Sequence, residues 1–185
     1  AILHTGITAS TYQVTDLTES TKYYAWVRDN CGIDGYSAWS ASINFTTTQT
    51  HVVVDAEHPF NDNFEDGNKW LFVNGNLTNA WVLGTAASHG GTHGMYISND
   101  GGTSNTYSSS TTTVYATKVF TLAAGKYNFS YDWRCDGRSN YDYLRVALVP
   151  ASAVLTAGTV PTGLTYGALP NGWKALDGGT GLDIA

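Results

Sequence analysis

The sequence predicts an all-β protein, and three observations carry that prediction. Neutral polar residues dominate, with 25 Thr, 14 Ser, 13 Asn and 20 Gly among 185 residues, the material of strands and turns. Twelve Tyr and six Trp add aromatic side chains that favour strands. Apolar residues recur at every second position in several windows, and no window carries a helical period.

The overall charge narrows the partners. Nine Lys+Arg against 15 Asp+Glu give a net charge of −6 and a pI near 5.1. With no basic stripe to override that sign, nucleic-acid binding is disfavoured. Only 13% of residues are charged while 42% are hydrophobic, too apolar for a disordered chain. The apolar runs are far shorter than the roughly 20 residues of a membrane-spanning helix. The chain opens at Ala1 and its single methionine is Met95, which predicts a processed product or a fragment. Cys31 and Cys135 are too few for a disulfide framework and are expected free and mostly buried.

Taken in order, Thr11-Tyr12-Gln13-Val14 alternates as a short strand, and Asp16-Leu17-Thr18-Glu19-Ser20 makes a corner. Residues 22–28 form the next strand, with Tyr23, Ala25 and Val27 on one face and Tyr24, Trp26 and Arg28 on the other. Asn30-Cys31-Gly32-Ile33-Asp34-Gly35 is a turn, and residues 42–47 form a strand in which Ile43 and Phe45 share a face. Residues 49–61 connect to a second region, with Val52-Val53-Val54 as a short strand and Pro59 as its limit. Further strands are expected within residues 70–73, 79–84, 90–102, 116–122, 125–134 and 142–149. The stretch Tyr127, Phe129, Tyr131, Trp133 puts four aromatics on one face, and Leu144, Val146 and Leu148 do the same in its neighbour. This is the pattern of a half-buried antiparallel sheet.

Leu17…Thr21-Lys22-Tyr23-Tyr24, Val27-Arg28, Tyr36-Ser37-Ala38-Trp39-Ser40 and Phe45-Thr46-Thr47 together resemble the second half of a fibronectin type III domain. The resemblance covers residues 1–48. It implies a partial sandwich and assigns Leu17 and Tyr23 to a tyrosine corner, in which the Tyr hydroxyl bonds to the backbone upstream. It also implies that Arg28 stacks on Trp39 or Trp26, which would make Trp39 a scaffold residue. A half sandwich leaves strand edges open, so residues 1–185 alone are expected to be unstable or self-associating.

Phe64-Glu65, Trp81, Tyr96-Ile97-Ser98-Asn99-Asp100, Tyr127…Asp132-Trp133 and Tyr141-Asp142-Tyr143-Leu144-Arg145-Val146 resemble the jelly-roll domains of the MAM and cleaved-adhesin type. This second resemblance covers residues 62–185 and implies an antiparallel jelly-roll β-sandwich, truncated before its last strands. Such domains accompany fibronectin modules in large secreted bacterial proteins. The implied role is a non-catalytic adhesion or accessory segment at the cell surface or outside it, binding a host or cell-surface protein or glycan. The alternative is a carbohydrate-binding module attached to a glycan-degrading enzyme.

The chemistry-bearing residues give several candidates. No Gly-x-Ser-x-Gly, Cys–His pairing or phosphate-cradling loop is present, and Glu occurs only at positions 19, 57 and 65. Asp62, Glu65 and Asp66 are the densest acidic cluster, either an ordinary acidic turn or a hard-oxygen site for a structural Ca²⁺. Related jelly rolls add weight to Glu65 as a cation ligand. His89-Gly90-Gly91-Thr92-His93 has two His four apart, but its glycines favour an exposed loop over a zinc site. Arg134, Arg138, Asn140, Tyr141, Asp142 and Tyr143 form a polar-aromatic loop that reads either as a ligand platform or as strand-end structure.

Overall fold

The computed structural model describes residues 2–19, 21–138 and 140–183. The protein is all-β: among the described residues ten strands are joined by loops, and the only helical element is the three-residue 3₁₀ turn Gly32–Asp34. The chain divides into two compact units, Ala1–Thr50 and His51–Ala185.

The first unit is built on one antiparallel pair, β1 (Lys22–Ala25) and β2 (Ile43–Thr46). Tyr23 lies opposite Phe45 and their rings stack with centroids 5.9 Å apart, while Ala25 faces Ile43. Asp16 takes a positive φ of 59° at the corner before β1. Half-buried Leu17 follows it, and the Thr18 N–H donates to the Tyr23 hydroxyl at 2.9 Å. The expected strand at residues 11–14 is not formed: these residues are exposed and no ladder partner reaches them.

The strand expected over 22–28 stops at Ala25 for a local chemical reason. Beyond it the Ser40 and Ser37 N–H groups still bond the carbonyls of Val27 and Asp29. The returning N–H groups of Val27 and Asp29, however, bond the hydroxyls of Ser40 and Ser37 at 3.1 and 2.8 Å. Side-chain oxygens have replaced half of the backbone acceptors, so contact continues where the ladder does not. Arg28 lies within this serine-bonded stretch, its guanidinium 4.0 Å from the Tyr36 ring centroid and 4.5 Å from that of Trp39. No residue of this unit is fully buried among those described.

Among the described residues, the second unit contains four two-stranded sheets. β3 (Val52–Val54) runs parallel to β8 (Phe120–Leu122), so the strand expected over 116–122 changes partner midway. Its first part is β7 (Tyr115–Thr117), antiparallel to β4 (Leu71–Val73). β5 (Ala80–Gly84) and β6 (Gly94–Ser98) make the longest pair, five residues on each side. β9 (Ala147–Leu148) pairs with β10 (Lys174–Ala175).

Burial concentrates at β6, which alternates between buried and half-buried positions. Tyr96 is 7% exposed, and its hydroxyl donates to the Gly102 carbonyl at 2.7 Å. Asn79, buried just before β5, is satisfied at both ends of its amide by Ser108, Ser110 and Thr112. A buried amide is tolerated because every polar atom finds a partner.

Two expected strands are corrected. Residues 125–134 join no ladder among those described, although exposure still alternates over 131–138 as in an extended chain. The stretch 142–149 does not pair with them. Leu144 instead bridges Leu182, and β9 pairs with β10. Between these contacts the Val146 N–H is taken by the Asp177 carboxylate at 3.1 Å, which interrupts the ladder. Both cysteines are free, but Cys31 is exposed, because it caps the 3₁₀ turn outside any packed layer. Cys135 is half-buried, and burial is the main influence pushing its thiol pKa up.

Candidate functional site

The loop at residues 137–142 is closed by its own backbone. The Arg138 carbonyl accepts the N–H groups of Tyr141 and Asp142, both at 2.9 Å, and the Arg138 N–H donates to the Asp142 carboxylate at 3.3 Å. Asp183 pins the loop from outside, its carbonyl accepting Gly137 N–H at 2.8 Å and its carboxylate accepting Asn140 N–H at 3.2 Å. Asn140 turns the chain with a φ of 65°, a conformation Asn adopts more readily than most residues. A Cβ at Gly137 would meet the Asp142 carbonyl, so glycine is required there.

This frame presents Tyr141, which is 70% exposed, with the Arg138 guanidinium over its ring at 4.4 Å from the centroid. Burial first, and then the charge of Asp142, push the pKa of the nearby Tyr107 hydroxyl up. Arg138, Asn140, Tyr141 and Asp142 are therefore brought together. Tyr143 is turned inward against Tyr166, edge to face at 5.3 Å, and belongs to the packing. Arg134 is exposed on the extended stretch before the loop. Chemically, the loop offers a flat ring, a cation and a carboxylate in fixed relation, a set suited to recognition.

The acidic cluster is divided between different partners. Asp62 accepts the Phe64 N–H and the Trp70 indole N–H at 3.0 Å each. The Lys69 ammonium lies 3.6 Å from Asp62 and 3.3 Å from Asp66. Glu65 points elsewhere: its carboxylate accepts the Thr92 hydroxyl at 2.5 Å and the N–H groups of Thr92 and His93 at 2.8 and 2.9 Å. The Thr92 hydroxyl, followed by the His93 N–H and ring, holds the Glu65 carboxyl down at about 2. Among the described residues, no three His, Cys, Asp or Glu side chains are grouped as metal ligands. The glycine-containing segment 89–93 is a loop. His93 meets Glu65 at 3.1 Å, and His89 meets Asp132 at 3.4 Å.

One polar centre is not apparent from the sequence pattern. Arg145 and Asp177 form an enclosed ion pair, Nε to carboxylate 2.6 Å, with side chains 7% and 0% exposed. Arg145 also donates to the carbonyls of Thr165, Tyr166 and Ala168 at 2.5, 2.9 and 3.1 Å. Asp177 in turn accepts the N–H groups of Val146 and Gly179, each at 3.1 Å. Burial pushes its carboxyl pKa up, but the Arg145 and backbone bonds together outweigh this and lower it. The pair organises the loops between β9 and residue 182, and it offers no open face for a ligand.

No helix among the described residues is long and apolar enough to cross a membrane. Comparison with protein-family models, with curated proteins and with solved structures returns no match for this chain.

Proposed function

We propose that this chain is a non-catalytic adhesion or accessory binding segment of a secreted or surface multi-modular bacterial protein. The fibronectin-like unit acts as a spacer, and the second unit, read as jelly-roll-like, binds a host or cell-surface protein or glycan. The observation that carries this reading is Tyr141, a highly exposed aromatic held under Arg138 on a loop fixed by its own backbone. Exposed, preorganised Tyr and Arg side chains are the residue types on which binding energy concentrates at interfaces. The modular setting is supported by the Thr18–Tyr23 corner bond and the Arg28–Trp39 stack, features the fibronectin resemblance implies.

The second reading, a carbohydrate-binding module, is favoured by the same ring standing beside a carboxylate and a cation, since sugars stack on aromatic faces and bond to polar edges. The test is binding of the 185-residue protein to surface proteins and to a glycan array. Tyr141→Ala is expected to weaken binding by roughly thirtyfold, equivalent to about 2 kcal/mol. Stability should change by less than about 0.5 kcal/mol, as for most exposed positions. Loss confined to glycans selects the second reading, and binding unaffected by Tyr141→Ala and Arg138→Ala overturns both.

A further inference from the structure

The backbone N–H and C=O groups of residues 126–134 form no hydrogen bonds among the described residues, although polar and aromatic residue types alternate along the stretch as in a strand. No residue in it has a positive φ. Tyr127 and Phe129 are 41% and 49% exposed, so the first half of its aromatic face is uncovered as well. Beside residues 126–128 lies an open groove of about 420 Å³, lined in part by Val54, Pro59, Phe60 and Tyr127. A strand with free edge groups and an uncovered apolar face is a template for strand addition.

The geometry points to a second copy of this chain as the added strand, paired antiparallel through residues 126–132 with Phe129 on the two-fold axis. Charge complementarity supports this arrangement. Centring on Phe129 sets Lys126 of each copy against Asp132 of the other, and two-fold symmetry forms that pair twice. On the opposite face Tyr127 meets Tyr131 and Phe129 meets Phe129, aromatic pairs of the kind that stabilise sheets. Gly125 then falls opposite Trp133 and leaves room for the indole. Centring on Ser130 would instead place Lys126 against Arg134. A parallel in-register pair would stack Lys on Lys and Asp on Asp, so both alternatives are repelled.

A charge-reversal cycle followed by sedimentation equilibrium tests the pairing. Lys126 and Asp132 are exposed, and the only partner described for either is the His89 contact of Asp132. The wild-type protein is expected to dimerise reversibly with concentration. Lys126→Asp and Asp132→Lys should each weaken the dimer by about tenfold, since each turns two attractive pairs repulsive. The double variant, which restores both pairs with their signs exchanged, should return to within about threefold of wild type. A protein that stays monomeric, or associates without response to the single changes, overturns the proposal. So does a double variant as weak as the singles.

Discussion

Replacing Arg145 by Met would leave the fully enclosed Asp177 carboxylate without its cation, and breaking a buried pair from one side typically costs about 3–5 kcal/mol. We expect Arg145→Met to lower the urea midpoint of the second unit by a corresponding amount. Arg145→Lys should recover only part of it, because an ammonium cannot bridge a carboxylate and three carbonyls at once. Glu65 makes a pH prediction with a definite sign. Its folded pKa is depressed to about 2, so its contribution is complete above its ordinary value of 4.5 and is lost as pH falls toward 2. Melting temperature should drop across that window, and Glu65→Gln should flatten part of the drop. The remainder belongs to groups such as Asp100, held near 2 by Ser104 and Ser98. Some of this was legible in the sequence. The fibronectin resemblance implies Arg28 stacked on Trp39 or Trp26, and the structure has it over Trp39, whereas Arg145 alternates with Leu144 and Val146 and so reads as solvent-facing. Its partner lies 32 residues further on, beyond the reach of any periodicity.

Strands were legible where alternation and turn residues agreed. β5 and β6 fall within the expected windows because small and polar residues bound them, and each finds the other across a short loop. Alternation says which face a strand buries but not which neighbour it has. This is why residues 125–134 were expected in a ladder they do not join, and why β8 pairs in parallel with β3 across some 65 residues. The serine-bonded edge beyond β1 gives an element-scale prediction. Ser37→Ala and Ser40→Ala each remove a side-chain acceptor from an exposed N–H that water then solvates, so each should cost about 0.5–1 kcal/mol. Tyr23→Phe removes the corner bond to Thr18 and should cost a similar ~1 kcal/mol. Urea melts followed by a probe in the first unit check all three.

Across the whole molecule, protection is expected to follow burial. The first unit has no buried residue among those described, while β6 holds Tyr96 and Ser98 out of solvent. Amide exchange should therefore be fast throughout β1 and β2 and slowest at the β5–β6 pair, with two separable unfolding events in place of one. A single cooperative transition with uniform protection would contradict this. The parallel pairing of β3 and β8 has a mechanical consequence for any segment that tethers one body to another. Tension arriving through the chain at residue 51 enters β3 at its N-terminal end, while the chain beyond β8 leaves from that strand's C-terminal end. Because the strands run in the same direction, those two points lie at opposite ends of the ladder, and the load slides one strand along the other. Val52, Val53 and Val54 must then give up Phe120, Thr121 and Leu122 together, whereas a hairpin pulled from its open end would release its pairs one at a time. A pulling experiment should find the second unit resisting force from its N-terminal side more than its few short strands would suggest.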